Sequence, residues 1–217
     1  MSYRKIDLET FPRREHFQYF LTMANPYVGV TVEVDVTDFR KMCVEKGYSF
    51  FLSFAYCVGR AANAVPEIRQ RILDGMPVEY DRCDTSHTVL LENGTYVYCR
   101  LNCMQEFPVF LAEAKALQER AKQEGTLDDG DDALSLLFLS CVPWLHYTVL
   151  HQPTPVPADS NPRITWGKFV DVQGRITMPV SILANHALVD GCHLAQFYAA
   201  LEEEMKRVIC LNRMEMK

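Results

Sequence analysis

The sequence lacks the features that mark a membrane-spanning or exported protein. None of its apolar runs reaches the roughly 18 residues that a membrane-spanning helix requires. The N-terminus, MSYRKID, has no apolar core of the kind found in signal peptides. We therefore expect the chain to stay in the cytoplasm. No internal repeat and no linker of biased composition is present, so we expect one domain over residues 1–217.

An excess of positive charge is absent as well. Lys and Arg number 22 against 28 Asp and Glu, the formal net charge is -6, and the basic residues form no stripe. Proteins that bind nucleic acid use such a stripe to contact phosphates. Nucleic acid is therefore excluded as the main partner.

The chain also lacks a cysteine pattern. Its eight cysteines are scattered, mostly inside apolar runs, and include no Cys-x-x-Cys pair. Disulfide frameworks are typical of much smaller secreted chains. We interpret these cysteines as small buried thiols in a reducing compartment.

What is present is a chain rich in strand signals, with 48% hydrophobic residues to build a core. Residues 27–35 alternate valine with polar residues or glycine, which predicts a strand covered on one face. Asn93-Gly94 and Gln173-Gly174 each separate two strand-like segments and predict hairpins. Further strands are predicted at residues 76–80, 87–91, 95–101, 134–140, 147–150, 164–172 and 175–184.

Helical spacing and capping residues predict the helices. Pro12 suits the start of a first helix, and Gly47 and Gly125 suit the ends of two others. The predicted helices are the segments that follow Pro12 and Gly191, together with residues 38–45, 50–64 and 108–124. Hairpins imply antiparallel pairing, so the predicted class is α+β, with helices packed on a mostly antiparallel sheet.

The most informative stretch lies near the C-terminus. The apolar run 180–184, bounded by Pro179, predicts a strand that carries His186 at its end, where side chains tend to face clefts. A neutral imidazole is suited to accept a proton near pH 7, although many such histidines are only hydrogen-bonded core residues. Asp190 directly precedes Gly191 and a helical pattern, so by itself it is a candidate N-cap.

Two metal sites are disfavoured by spacing. His186, Asp190 and His193 span a predicted strand-to-helix turn and match no common zinc pattern. Residues 126–132 hold four aspartates, but not at the positions of an EF-hand calcium loop. We interpret that segment as a solvated turn.

Four separated segments of the chain form a recognisable set. They are residues 11–17 (FPRREHF), 140–144 (SCVPW), 165–168 (TWGK) and 185–191 (NHALVDG). In order and spacing they resemble the trimeric chloramphenicol acetyltransferases, whose CoA-dependent acyltransferase fold is shared with the catalytic domains of dihydrolipoyl acyltransferases. The resemblance covers essentially the whole chain. It implies a two-layer α+β sandwich with a mixed sheet, acetyl-CoA as co-substrate, no metal, and a homotrimer with active sites between subunits.

The resemblance also implies roles for individual residues. His186 would be the general base that takes the proton of an acceptor hydroxyl as its oxygen attacks the acetyl-CoA thioester. Ser140 matches a serine that stabilises the tetrahedral oxyanion, and Thr165 matches a threonine that helps hold a transition-state water. Asp190 and Arg13 match a buried salt bridge that holds the histidine segment, although Arg13 alone would be interpreted as a solvated charge.

Two further groups follow from the same resemblance. Trp144 and Phe169 match aromatic positions near the CoA end of a tunnel between subunits. The positions that match the surroundings of the acceptor are Tyr19, Phe20, Ala24, Pro26 and Val28. Any of these side chains is also interpretable as ordinary core.

The chain departs from the pattern of the resembling enzymes at several positions. Asn185 replaces a first histidine, Phe169 replaces a tyrosine near CoA, and the segment 151–162 is proline-rich and one residue shorter. Phe20 and Val28 replace a tyrosine and an aromatic residue of the antibiotic pocket. The resemblance implies chloramphenicol or a similar hydroxyl compound as acceptor. The replaced pocket residues affect the choice of acceptor more than the chemistry. A different hydroxyl or thiol acceptor, or a non-catalytic trimeric binding module, are the alternatives.

Overall fold

The structure is a computed structural model that describes residues 1–214. The strands within this range are β1 Tyr3–Lys5, β2 Tyr27–Asp35, β3 Gln70–Leu73, β4 Met76–Tyr80, β5 Thr85–Leu90, β6 Tyr96–Leu101, β7 Leu137–Val142, β8 Arg163–Gly167, β9 Val170–Val172 and β10 Arg175–Asn185. The α-helices are α1 Arg14–Phe20, α2 Thr37–Lys46, α3 Phe50–Ala64, α4 Phe107–Glu124 and α5 Gly191–Met214. Single 3-10 turns lie at Pro66–Arg69 and Ala133–Ser135.

The main sheet is mixed and has the strand order β2-β10-β8-β7-β5-β6, with β9 beside β10. Strand β10 runs antiparallel to β2, β8 and β9, and β5 runs antiparallel to β6. Strand β7 runs parallel to both of its neighbours, β5 and β8. A second, three-stranded sheet has the order β1-β4-β3. The α+β class with helices on a mostly antiparallel mixed sheet is therefore confirmed.

The core lies between the helices and one face of the main sheet. Val180, Ile182 and Ala184 of β10 alternate along the strand and are fully buried on this face. Helix α3 is apolar nearly all round and lies in the middle of the helix layer, where it contacts α4 and α5. The Ser49 hydroxyl accepts a hydrogen bond from the Leu52 amide and caps its start. The predicted burial of residues 50–64 is confirmed.

Two of the predicted strand segments differ from the structure: the strand predicted at residues 134–140 begins only at Leu137, and the one predicted at residues 147–150 is absent. Residues 134–136 belong to a 3-10 turn and its exit, since the Leu134 and Leu136 carbonyls accept hydrogen bonds from the Arg71 guanidinium and the Asn161 amide. Residues 147–150 form no strand. The Tyr147 hydroxyl donates to the Thr165 carbonyl, so this segment lies over the sheet rather than within it.

Strand β10 confirms the strand predicted at residues 175–184, so Pro179 lies inside the strand and does not bound it. Strand β10 pairs with β2 over residues 177–185. On its other side, pairing changes from β9, at residues 175–177, to β8, at residues 180–183. Pro179 lies in this gap, where a missing amide proton costs no hydrogen bond of the sheet. The predicted strand 164–172 is divided into β8 and β9, and β1 and β3 were not predicted.

The cysteines are free thiols throughout the described residues. Five are buried, and burial raises the pKa of Cys103 to about 12. Cys141 is partly buried, whereas Cys192 and Cys210 are exposed, so the prediction of burial is wrong for these two.

The acidic segment 126–132 is more than a solvated turn. Asp132 binds the N-terminal amino group at 3.3 Å and Arg100 at 3.1 Å, and Asp129 accepts a hydrogen bond from Ser86. Across residues 1–214, no three His, Cys, Asp or Glu side chains are grouped so that they could hold a metal ion. In the same part of the chain, every helix is too short or too polar to cross a membrane.

Arg71 is a fully buried cation that joins the two sheets. Its guanidinium donates to the backbone carbonyls of Ile68, Gln70, Leu134 and Leu136 at 2.7 to 2.9 Å. Burial lowers the pKa of Arg71, but each of its three guanidinium nitrogens donates a hydrogen bond to at least one of these four carbonyls. These bonds fix the chain immediately before β7.

We predict that Arg71→Met destabilises the protein by about 4 kcal/mol, because several buried carbonyls lose their donors at once. The matched control is Arg4→Met, which removes an exposed guanidinium from Glu79 while Arg69 stays paired with that carboxylate, and it should cost under about 1 kcal/mol. Urea unfolding at one fixed protein concentration measures both. Equal losses in the two variants would contradict this role of Arg71.

Candidate active site

The His186 ring is held in one orientation at the end of β10. Its Nδ1 lies 2.9 Å from the Val189 carbonyl oxygen, and its backbone amide donates to the Pro26 carbonyl at 2.7 Å. The ring stacks on Phe20 with 3.9 Å between ring centroids and 21° between planes. A carbonyl oxygen only accepts, so Nδ1 carries the proton and Nε2 of the neutral ring holds the free lone pair.

Arg13 connects α1 to this turn. Its Nη1 lies 2.9 Å from Asp190 Oδ2, and its Nη2 donates to the His186 carbonyl at 3.1 Å. The Arg13 side chain is 15% exposed and that of Asp190 is 41% exposed. The ion pair that the family resemblance implied is therefore present, but in the single chain it is only partly buried, since Arg13 is mostly covered and Asp190 is half-exposed.

The Asp190 carboxylate is used for this ion pair more than for capping. It also accepts a hydrogen bond from the Gly191 amide at 2.8 Å, directly before α5. The hydrogen bond from Arg13, and next that from the Gly191 amide, lower the pKa of Asp190 to about 2. The carboxylate is thus ionised at every pH at which an imidazole could act as a base.

Of the residues expected around the acceptor, Phe20 and Pro26 contact His186 directly. Tyr19 packs edge-on against Phe20 with 5.2 Å between centroids, and Val28 lies opposite Ala184 in the β2–β10 register. Pro26 is buried, whereas Ala24 is exposed. Asn185 is a structural anchor, since its amide donates to the Asp159 carbonyl and accepts from the Ala187 amide.

Ser140 and Thr165 lie elsewhere on the sheet, as direct neighbours in the β7–β8 register. Both line a cleft of about 820 Å³, which we call the serine cleft. Thr165 Oγ1 donates to Gln152 Oε1 at 3.2 Å. Other residues that line the serine cleft are Phe51, His87, Gln118, Trp144, Leu150 and Gln152. Of the two expected CoA-contacting aromatics, Trp144 lines this cleft and is 65% exposed.

Phe169 is placed away from the serine cleft, between β8 and β9. The Arg40 guanidinium lies 4.6 Å from its ring centroid, and Phe50 packs against it edge-on at 5.8 Å. Phe169 therefore does not line the serine cleft with Trp144, although the amide of Lys168 beside it donates to the Leu145 carbonyl at 2.8 Å.

Within one chain, His186 and Ser140 cannot reach the same substrate atom. Register pairs Ser140 with Thr165 and Thr165 with Ser181, so a line across the strands leads from Ser140 to Ser181 on β10. His186 follows Ser181 by five residues. At the rise of an extended strand, five residues place His186 about 17 Å from Ser181 along the direction of β10. The distance from β10 across the sheet to β7 adds to the separation of His186 from Ser140.

Sequence reasoning missed a polar pair in the serine cleft. His87 Nε2 lies 2.9 Å from Gln118 Nε2, and burial lowers the pKa of His87 to about 4, so the ring is neutral. Gln118 then donates to the unprotonated Nε2. His87 belongs to a predicted strand and Gln118 to a predicted helix, and only their packing brings them together, so no motif could have identified the pair.

Solved acetyltransferase structures share this fold. A dihydrolipoamide acetyltransferase of Azotobacter vinelandii superposes with a TM-score of 0.67 at 16% identity, over 90% of this chain and 88% of that chain. At this identity the likeness shows the fold alone. A solved chloramphenicol acetyltransferase superposes with a TM-score of 0.86 at 31% identity, over 94% of this chain and 100% of that chain.

Proteins related in sequence carry the same name as that solved structure. Chloramphenicol acetyltransferase 3 of Escherichia coli is 27% identical over 94% of this chain and 97% of its own length. Chloramphenicol acetyltransferase 2 of Escherichia coli is 29% identical over 93% of this chain and 96% of its own length. The sequence pattern that defines the chloramphenicol acetyltransferase family matches residues 1–202 of this chain.

The fold and these relatives define the protein as an acyltransferase. Within that class, the chain belongs to the chloramphenicol acetyltransferase family.

We predict that Asp190 contributes to stability in a pH-dependent way. Its pKa is lowered to about 2 from an ordinary value of 3.8, so its contribution is present above pH 3.8 and is lost as pH falls toward 2. The measurement is the difference in unfolding free energy between wild type and Asp190→Asn, taken from pH 7 down to the lowest pH at which both fold. A difference that does not shrink below about pH 4 would show that the carboxylate's charge is not what stabilises the turn.

Proposed function

We propose that this protein transfers the acetyl group of acetyl-CoA to a hydroxyl of chloramphenicol or a closely similar small acceptor, an activity that would confer resistance to the antibiotic. The observation that carries the proposal is the orientation of His186, whose Nδ1 is tied to the Val189 carbonyl. Membership of the family supports the choice of substrates. No metal takes part in the proposed reaction.

His186 acts as the general base. A hydroxyl is too weakly acidic to be a nucleophile at pH 7, so a base must take its proton while its oxygen attacks the thioester carbonyl. The lone pair on Nε2 performs this step, and the bond from Nδ1–H to Val189 keeps the ring in place as it becomes charged. The sulfur of CoA leaves and takes up a proton, and no acyl-enzyme is formed.

Ser140 and Thr165 stabilise the tetrahedral intermediate. The Ser140 hydroxyl donates to the oxyanion, and Thr165, its neighbour in the register, holds a water in the transition state. Trp144 and the rest of the serine cleft receive acetyl-CoA. The cleft's volume of about 820 Å³ is within the range of small-molecule sites.

The two halves of the site belong to different chains of a homotrimer. In support, each half is bordered by apolar side chains that are left exposed in the single chain. Tyr19, Leu21 and Met23 lie on α1 and just after it, beside His186, and are 61%, 42% and 37% exposed. Near Ser140, the exposed side chains are Trp144, Leu145 and Val149. Such patches are typical of subunit contacts, and a cyclic trimer repeats each shared site three times.

The acceptor lies against Phe20 and Tyr19 of the chain that contributes His186. Phe20 stacks on the imidazole and so excludes water from one face of the base. It has no hydroxyl to bind a polar group of the acceptor, and Val28 is smaller than an aromatic residue. These differences alter acceptor preference more than they alter the chemistry.

We predict that His186→Ala lowers kcat by about 10³-fold and Ser140→Ala by about 10²-fold, because a general base and an oxyanion donor are lost. A thiol-release assay with acetyl-CoA and chloramphenicol measures both, and unchanged melting temperatures serve as the control for folding. Wild-type levels of turnover in His186→Ala would refute the role of the base. No turnover by the wild type would refute chloramphenicol as the acceptor.

A panel of other acceptors separates the alternatives. Turnover of another hydroxyl compound or of a thiol, with chloramphenicol inactive, would keep the base and change the substrate. Absence of any turnover, together with no shift in melting temperature on adding CoA, would favour the non-catalytic binding module.

We predict that mixed trimers of the two inactive variants regain activity. If equal amounts of His186→Ala and Ser140→Ala chains are unfolded together and refolded, about a quarter of the sites combine an intact His186 with an intact Ser140 from a neighbour. The mixture should therefore recover about a quarter of wild-type kcat. Each variant refolded alone is the control. No recovery in the mixture would contradict a site shared between chains.

A further inference from the structure

A single peptide unit lies between two imidazole rings at the start of α5. The carbonyl of the Val189–Asp190 peptide accepts from His186 Nδ1 at 2.9 Å. The amide of the same peptide donates to His193 Nδ1, also at 2.9 Å. The two rings are thus connected through one rigid, planar group.

The partners determine where each proton lies. A backbone amide only donates, so His193 Nδ1 must be unprotonated and its proton is on Nε2 when the ring is neutral. His193 Nε2 lies 3.8 Å from Glu67 Oε1 in the 3-10 turn Pro66–Arg69, and the side chain is 13% exposed. The charged groups that face this ring and its peptide are Glu67, Asp190 and Arg13.

The geometry is that of a capping box in which histidine takes the usual place of Glu or Gln. His193 is the third residue of α5 and reaches back to the amide of Asp190, the residue before the helix. Without this acceptor, the Asp190 amide would have no partner at the helix start. The Asp190 carboxylate is left to bind Arg13 instead.

We propose that His193 is a positioning residue for the acetyl transfer, which fixes the Val189–Asp190 peptide and, through its carbonyl, the tautomer of His186. The inference rests on the proposed function of His186. Hydrogen bonds in a chain polarise one another, so an acceptor on the amide strengthens the carbonyl as an acceptor for His186. Loss of His193 frees this peptide to rotate, and the proton of His186 then distributes between its two nitrogens.

The test compares His193→Asn with His193→Leu. The Asn Oδ1 is attached to the side chain at the same place as His Nδ1 and preserves the acceptor, whereas Leu has a similar bulk and no acceptor. We expect kcat to fall about tenfold in His193→Leu, the effect of one lost hydrogen bond, and to remain within about threefold in His193→Asn. The KM for acetyl-CoA should change little in either variant, which a general loss of structure would not produce.

A second measurement does not depend on catalysis. In protein labelled with 15N at its histidines, the ring nitrogen shifts report which nitrogen of each neutral imidazole carries the proton. The wild type should show His186 protonated at Nδ1 and His193 protonated at Nε2. His193→Leu should show His186 shifted toward the other tautomer, and His193→Asn should not.

The outcomes separate the two proposals. A wild type with the opposite tautomer on either ring overturns the role of His193, even if His193→Leu fails to fold. The same conclusion follows if His193→Leu keeps both the kcat and the His186 tautomer of the wild type. A wild type that acetylates no acceptor but shows the expected tautomers refutes the proposed function and leaves the link between the two rings established.

Discussion

The hydrogen bond between His186 Nδ1 and the Val189 carbonyl is the contact on which the candidate site depends. Because the carbonyl accepts and never donates, the bond leaves the lone pair of the neutral ring on Nε2. The turn after β10 provides that carbonyl, and Arg13 holds the turn by bonds to the His186 carbonyl and to Asp190. The Arg13–Asp190 ion pair is therefore part of what holds the His186 imidazole, the proposed general base, in position.

The sheet that positions His186 also separates it from Ser140. Strand β10 carries the histidine beyond its end, while Ser140 and Thr165 lie on β7 and β8, on a line that crosses β10 at Ser181. A rigid sheet cannot fold back to join two points about 17 Å apart along a strand. Use of both residues on one substrate thus requires a second chain, which is the physical reason for proposing a shared site.

Buried polar side chains support the irregular backbone around this sheet. Arg71 and Asn161 hold the carbonyls before β7, and Asn185 ties the end of β10 to Asp159. A loop that lies against a sheet needs partners for its backbone groups, and these side chains supply them. Many resembling enzymes carry a histidine at the position of Asn185. Here the Asn185 side-chain amide forms hydrogen bonds with backbone groups.

Much of the fold was determined by local sequence patterns. The valine alternation at residues 27–35, the apolar segment 50–64 and the hairpin at Asn93-Gly94 each depend on neighbouring residues, and each matches the structure. Short motifs likewise identified the family, and the candidate site residues His186, Ser140, Asp190 and Arg13 were proposed from the same motifs. Tertiary structure alone decided that residues 134–136 are no strand, that His87 meets Gln118, and that His193 and His186 share one peptide. Such contacts arise only when packing brings distant segments or a particular turn geometry together, and local propensity carries no information about that packing.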